Sequence, residues 1–275
     1  MRYKILAGLA AGLIATVGLA APANAVSSST ADLYILHAVP DLPVDVWVNG
    51  DVLLEDFAPG TLTDAQELPA GDYEVVITKA GDPITTPAIG PITLTLAANT
   101  SYTAVAHLKA DGTPTASLFT NDLSMIPAGQ GKLTVRHTAA APAVDILANG
   151  AAAFTNLVNP NEVKADLPVG TISAAVAATG TTAPVIGPAD VQIQEGVNTI
   201  VYAWGSLEDN NLKLAVQTIG GMNSNPDGVP SGSGGLAADP NLGSIGWSIA
   251  ALLALVAGAA FTAMRLRTRE AASKR

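Results

Sequence analysis

Along the middle of the chain, hydrophobic and polar residues alternate in short runs. "YEVVIT" (residues 73–78) alternates Tyr73, Val75 and Ile77 with Glu74, Val76 and Thr78, and "ITLTL" (92–96) alternates strictly. A period of two places successive side chains on opposite faces of a strand. "SYTAVAHL" (101–108), "TASLFT" (115–120), "NTIVYAW" (198–204) and "KLAVQTI" (213–219) read as further strands, set off by turns rich in Pro, Gly, Asn and Asp. Between the two ends no stretch holds a 3.6-residue period over three turns, so the pattern predicts an all-β middle.

The strands come as a duplicated set. "ILHAVPDLPVDVWVNG" (35–50) returns as "VRHTAAAPAVDILANG" (135–150), so that His37, Asp45, Asn49 and Gly50 match His137, Asp145, Asn149 and Gly150. "LPAG" at Leu68 returns as "LPVG" at Leu167, and "IGP" at Ile89 returns at Ile186. The offset drifts only from 100 to 99 to 97 residues, so small loop deletions separate the copies. A repeat near 100 residues is too long for a solenoid unit and suits an independently folding domain. The expectation is two tandem antiparallel β-sandwich domains, immunoglobulin-like, of about seven short strands each. They span 32–122 and 132–219, with the connection around 121–131.

Both ends of the chain have a different character. Arg2 and Lys4 precede an uncharged, mostly apolar stretch (5–20), and Ala23, Asn24 and Ala25 form a small-x-small site, so 1–25 reads as a signal peptide. A helix kept in the membrane is the alternative. Residues 220–244 are rich in Gly, Ser, Pro and Asn and read as a flexible stalk. Residues 245–264 are twenty uncharged, mainly apolar residues, the length of a transmembrane helix. Residues 265–275 carry five basic residues and one Glu, a basic tail that belongs inside the cell by the positive-inside rule. The expected product is a single-pass cell-membrane protein, its ectodomain extracellular and its C-terminus cytoplasmic. A sorting signal removed on wall attachment is the competing reading, although no Leu-Pro-x-Thr-Gly pentapeptide occurs.

Charge narrows the range of partners. Residues 26–244 hold 22 acids and six bases, a balance of 6 − 22 = −16, and most of the excess belongs to the first copy. Such a surface repels phosphate backbones, so nucleic acid is not an expected partner. The expected partners are the membrane and an envelope protein or glycan. The chain has no cysteine, which excludes disulfides and thiolate metal sites.

The repeated motif is the first candidate for chemistry. By strand parity His37 shares a face with Leu33 and Ile35, while Asp45 lies opposite Val44 and Val46. If both apolar faces look into one core, the two polar side chains diverge, and a His–Asp dyad would need a bulge. Asn49-Gly50 and Asn149-Gly150 stand between β runs and match a two-residue type I′ turn. His37, Asp45, Asn49, Gly50 and their counterparts therefore read as a structural motif. Asp41, Asp51 and Glu55, clustered near the first hairpin, are calcium candidates by their hard oxygen ligands, although their spacing does not match an EF-hand loop. The second copy lacks counterparts for them. No Gly-x-Ser-x-Gly, phosphate loop or zinc spacing occurs, and no cofactor and no catalytic residue is expected.

The repeated skeleton, His-x(3–4)-Pro-x(1–2)-Val-Asp-(Val/Ile)-x-x-Asn-Gly followed by Leu-Pro-x-Gly, resembles the bacterial family called domain of unknown function 4397. The resemblance extends over both copies. It implies an exported, β-rich, often tandem surface domain with no activity generally attached. The resulting expectation is a membrane-anchored surface protein that displays two sandwiches for binding or structural interaction in the envelope. A calcium- or glycan-binding adhesion module and a hydrolase of envelope polymers are the alternatives.

Overall fold

The computed structural model describes residues 29–223, which form sixteen strands in four sheets. The first copy contributes β1 (Thr30–His37), β2 (Val44–Val48), β3 (Asp51–Phe57), β4 (Gln66–Pro69), β5 (Gly71–Lys79), β6 (Ile89–Leu96), β7 (Thr100–Leu108) and β8 (Pro114–Thr120). The second contributes β9 (Gln130–His137), β10 (Val144–Ala148), β11 (Ala151–Leu157), β12 (Glu162–Pro168), β13 (Gly170–Ala178), β14 (Pro184–Ile193), β15 (Asn198–Trp204) and β16 (Lys213–Ile219). The sheets of the first copy run β4-β1-β7-β8 and β3-β2-β5-β6, and those of the second run β12-β9-β15-β16 and β11-β10-β13-β14. The sequence repeat is thus a repeat of topology.

Each copy closes on its own core. Leu33 and Ile35 of β1 meet Val44 and Val46 of β2 and Ile77 of β5. In the second copy Leu133 and Val135 meet Ile146 and Val176 in the same way. Alternate residues of one sheet from each copy face the other copy instead. Leu36, Val105 and Phe119 pack with Ile200, Tyr202 and Trp204 in a third apolar cluster. Each large side chain so buried contributes roughly 1.5–3 kcal/mol relative to exposure. Two sheets packed face to face join the copies into one compact unit. The strands at its centre are covered on both faces, and all seven residues of β15 are buried. The segment between the copies is also tied down: Ile126 is fully buried and its N–H donates to the Met222 carbonyl at 2.7 Å.

Two parts of the expected fold class are corrected. The sheets are not wholly antiparallel, because β1 pairs with β7, and β9 with β15, in parallel register. Alternation reports which face a residue occupies but not which strand lies beside it or in which direction, so parallel pairing left no trace in the pattern. The fold class also loses its transmembrane helix. The described residues contain strands and no α-helix, and no helix among them is long and apolar enough to cross a membrane. Residues 245–264, on which that expectation rested, lie outside the described residues, as do 1–25, 265–275 and all but the first four residues of the expected stalk. Apolar length measures the preference of a segment for a nonpolar medium, and does not itself establish a helix.

Candidate functional site

The repeated motif is a set of fasteners between strands and loops. His37 is fully buried at the end of β1, stacked on Phe57 with ring centroids 5.8 Å apart. Its Nε2–H donates to the Leu42 carbonyl at 2.6 Å, which pins the loop between β1 and β2, and Nδ1 has no partner among the described residues. His137 repeats the bond, to the Pro142 carbonyl at 3.1 Å. Burial holds both imidazoles below their ordinary pKa, outweighing the carbonyl bonds that favour protonation, and the rings stay neutral.

Asp45 faces away from that core. Its two carboxylate oxygens accept from the backbone N–H groups of Asp56 at 2.8 Å and Gly81 at 2.9 Å. Asp145 makes the same pair with Asn156 and Gly180, both at 2.8 Å, and these amides hold its carboxyl below the usual range. The histidine and the aspartate of each copy therefore have separate partners and form no dyad. Asn49 and Gly50 have φ of 52° and 88°, as a type I′ turn requires, and Asn149 and Gly150 have 51° and 82°. The asparagine has a further role that the turn signal does not carry. Asn49 Oδ1 accepts from the Glu74 N–H at 3.0 Å, and Asn149 Oδ1 from Ser173 at 3.1 Å, tying each hairpin to the neighbouring strand.

The calcium candidates are not gathered. Asp41 lies exposed in the loop before β2, while Asp51 and Glu55 are exposed on β3. Among the described residues no three His, Asp or Glu side chains come close enough together to hold a metal ion. His107 is buried in β7, with Nδ1 against the Leu108 carbonyl and Nε2 against the Ser117 hydroxyl.

The densest polar constellation lies where the two copies meet. Arg136, 1% exposed, donates from Nε to Glu162 at 2.8 Å, from Nη1 to the Tyr202 hydroxyl at 2.7 Å and from Nη2 to Asn121 Oδ1 at 3.1 Å. Its guanidinium also lies 4.5 Å from the Phe119 ring centroid, so this one side chain binds groups of both copies. The Tyr202 hydroxyl donates in turn to Gln217 Oε1, which also accepts from Thr103 of the first copy. Beside it Lys132 bridges Ser124 and Asp122. Burial pushes the Asp122 carboxyl upward, but hydrogen bonds from Ser124 and the Lys132 ammonium outweigh it and leave the group well below the usual range.

Above this network an open cleft of about 740 Å³ runs between the copies. One wall is 118–123 of the first copy and the connection, including Phe119 and Asp122, and the other is Pro160, Asn161, Glu162 and Lys164. Lys164 reaches Glu162 at 3.0 Å and Asp122 at 3.8 Å, so charged groups from both copies line its edge.

Residues 31–147 match the family described as Domain of unknown function (DUF4397). The protein contains a DUF4397 domain. The match runs from β1 through the first copy and into β10, and so includes the first histidine motif whole and the second as far as Leu147, with His137 and Asp145 inside it and Asn149 and Gly150 beyond it. No curated protein matches the chain. The motif residues that mark the DUF4397 domain hold its own backbone together, whereas the cleft residues belong to the junction of the two copies.

By strand parity Thr134, Arg136 and Thr138 share the face of β9 opposite Leu133, Val135 and His137, and no motif in the chain singles out Arg136. A signal was available in the apolar residues at positions expected to face outward. Leu36 occupies the equivalent position in β1, and "NTIVYAW" is apolar on both faces, as a strand covered on both sides should be.

Proposed function

We propose that this is an exported, non-enzymatic recognition module of the cell envelope, and that the cleft between the two copies is its binding surface. The observation that carries the reading is that the cleft has one wall from each copy, so neither sandwich possesses it alone. Its floor is held rigid by the Arg136 hydrogen bonds, and its edge offers Asp122, Glu162 and Lys164 next to the apolar edge of Phe119. Ligand sites favour such junctions and combine an apolar surface with a few fixed polar groups. The best fit is an uncharged ligand rich in hydroxyl and amide groups, an envelope glycan, since the balance of −16 disfavours polyanions. Display outside the cell is supported by the basic-apolar-small pattern of residues 1–25.

The test is calorimetric titration of the purified protein with solubilised envelope glycan fragments, together with protease accessibility on intact cells. Saturable binding that falls at least tenfold in Lys164→Ala at unchanged melting temperature supports the reading. Binding that is absent, or indifferent to that substitution, overturns it, as does protection from protease on intact cells.

A further inference from the structure

The two copies share a topology but not an interior. In the first, Val48 of β2, Val75 of β5 and Ile92 of β6 form one row across three adjacent strands, Val48 paired with Val75 and Val75 with Ile92. In the second, the same row is Ala148, Ala174 and Ala189, with the same pairings. Valine, valine and isoleucine have become three alanines, so the row has lost side-chain volume from end to end. Several neighbours are larger than their counterparts, including Phe154 for Leu54 and Val201 for Ala104, but they do not fill the space. The sandwich of the second copy retains a cavity of about 300 Å³, against about 30 Å³ in the first.

Every lining side chain of the larger cavity is apolar, among them Leu133, Ile146, Phe154, Val176, Val201 and Leu214. A water molecule needs two to four polar partners, which such a lining does not offer. Protein interiors otherwise pack as densely as organic crystals, so an unfilled volume of this size lowers stability. Apolar cavities of roughly half the volume, about 150 Å³, take up benzene or xenon. Phe154, Leu167, Ile172 and Leu214 are only half-buried, which leaves a route between the sheets from solvent.

We propose that the second sandwich binds a small hydrocarbon-like molecule in this cavity, either a free apolar compound or the end of an alkyl chain with its head group left outside. The proposal concerns the interior of one copy and is independent of the cleft and of where the protein resides. Ala148 and Ala174, which line the cavity, make the second copy a receptor, and Val48, Val75 and Ile92 make the first copy a filled scaffold of the same fold.

The test titrates the full chain with p-xylene and with 1-decanol, following methyl resonances by NMR and the melting temperature. Shifts confined to the methyls of Leu133, Ile146, Val176, Val201 and Leu214, with a dose-dependent rise in melting temperature, are expected. Binding of p-xylene alone marks the ligand as a compact free compound, and binding of decanol marks an alkyl chain. The variant Ala148→Val/Ala174→Val installs the first copy's own residues, so it is expected to fold and to bind at least tenfold more weakly. Single Ala148→Val, expected to weaken binding by a smaller factor, serves if the double variant does not fold. No response to either probe, equal shifts in both copies, or undiminished binding in the filled variants overturns the proposal.

Discussion

Arg136 and Tyr202 are register partners in the parallel β9–β15 pair and are bonded at 2.7 Å, while their counterparts in the first copy, Leu36 and Val105, are partners without a polar atom between them. All four positions lie at the junction of the copies. The two copies present similar sheets to each other, and at this pair of positions the second has polar groups where the first has only apolar side chains. Asn121 and Thr103 of the first copy supply Arg136 and Gln217 with partners that β9 and β15 lack. Pairing between unlike faces favours the observed contact over association of like copies.

Removing Arg136 therefore has a large effect. Arg136→Ala is expected to lower unfolding stability by about 3 kcal/mol, since Asn121, Tyr202 and Glu162 lose a common donor in a buried site. Arg136→Lys should recover less than half of that, because an ammonium cannot reproduce the planar fork. Equilibrium denaturation in urea checks both values.

The buried histidines make stability depend on pH. His37, His107 and His137 all have pKa values lowered by burial from the ordinary 6.5. As pH falls through about 6.5 the unfolded chain takes up protons that the folded chain refuses, so the stability present above that value is lost on acidification. The melting temperature should drop between about pH 7 and pH 5. His37→Gln keeps a donor for the Leu42 carbonyl and should flatten that slope. An unchanged slope would show that the ring titrates alike in both states.

Asp45 anchors two loops by one carboxylate. Asp45→Ala should cost about 2 kcal/mol, because two backbone N–H groups lose their acceptor. Amide exchange at Asp56 and Gly81 should quicken more than elsewhere in the first copy. For Asp145 the depressed carboxyl pKa predicts that its contribution is present above the ordinary value of 3.8 and fades as pH falls below it.

The glycine of "IGP" has a steric duty that the hairpin glycine Gly50 does not share. A Cβ on Gly90 would lie 2.7 Å from the Val75 carbonyl oxygen, and one on Gly187 would lie 2.9 Å from that of Ala174. Gly50 also has positive φ, but a Cβ there meets nothing within 4 Å. Gly90→Ala should destabilise by about 2 kcal/mol and Gly50→Ala by about 1 kcal/mol, separable by thermal melts.

Strand content, duplication and the sidedness of the motif were legible because each is local. Period-two alternation puts His37 with the core and Asp45 opposite, whichever strands lie beside them. Asn-Gly marks a turn through the φ values it permits. The family likeness rested on spaced residues that the match over 31–147 supports. The role of Gly90 stayed hidden, although its motif was visible, because the obstructing carbonyl comes from another strand.

The duplicated β unit, and the face of β1, β2, β9 and β10 that each motif residue takes, follow from the order of residues alone, since backbone geometry imposes that period. Tertiary structure decided the rest. Only the packing of sheet on sheet turned Arg136 from an outward-facing charge into the centre of a buried network, and only lateral pairing aligned Ala148, Ala174 and Ala189 into one row. Both results depend on contacts between segments remote in the chain, and a local pattern of polar and apolar residues does not specify which segments meet.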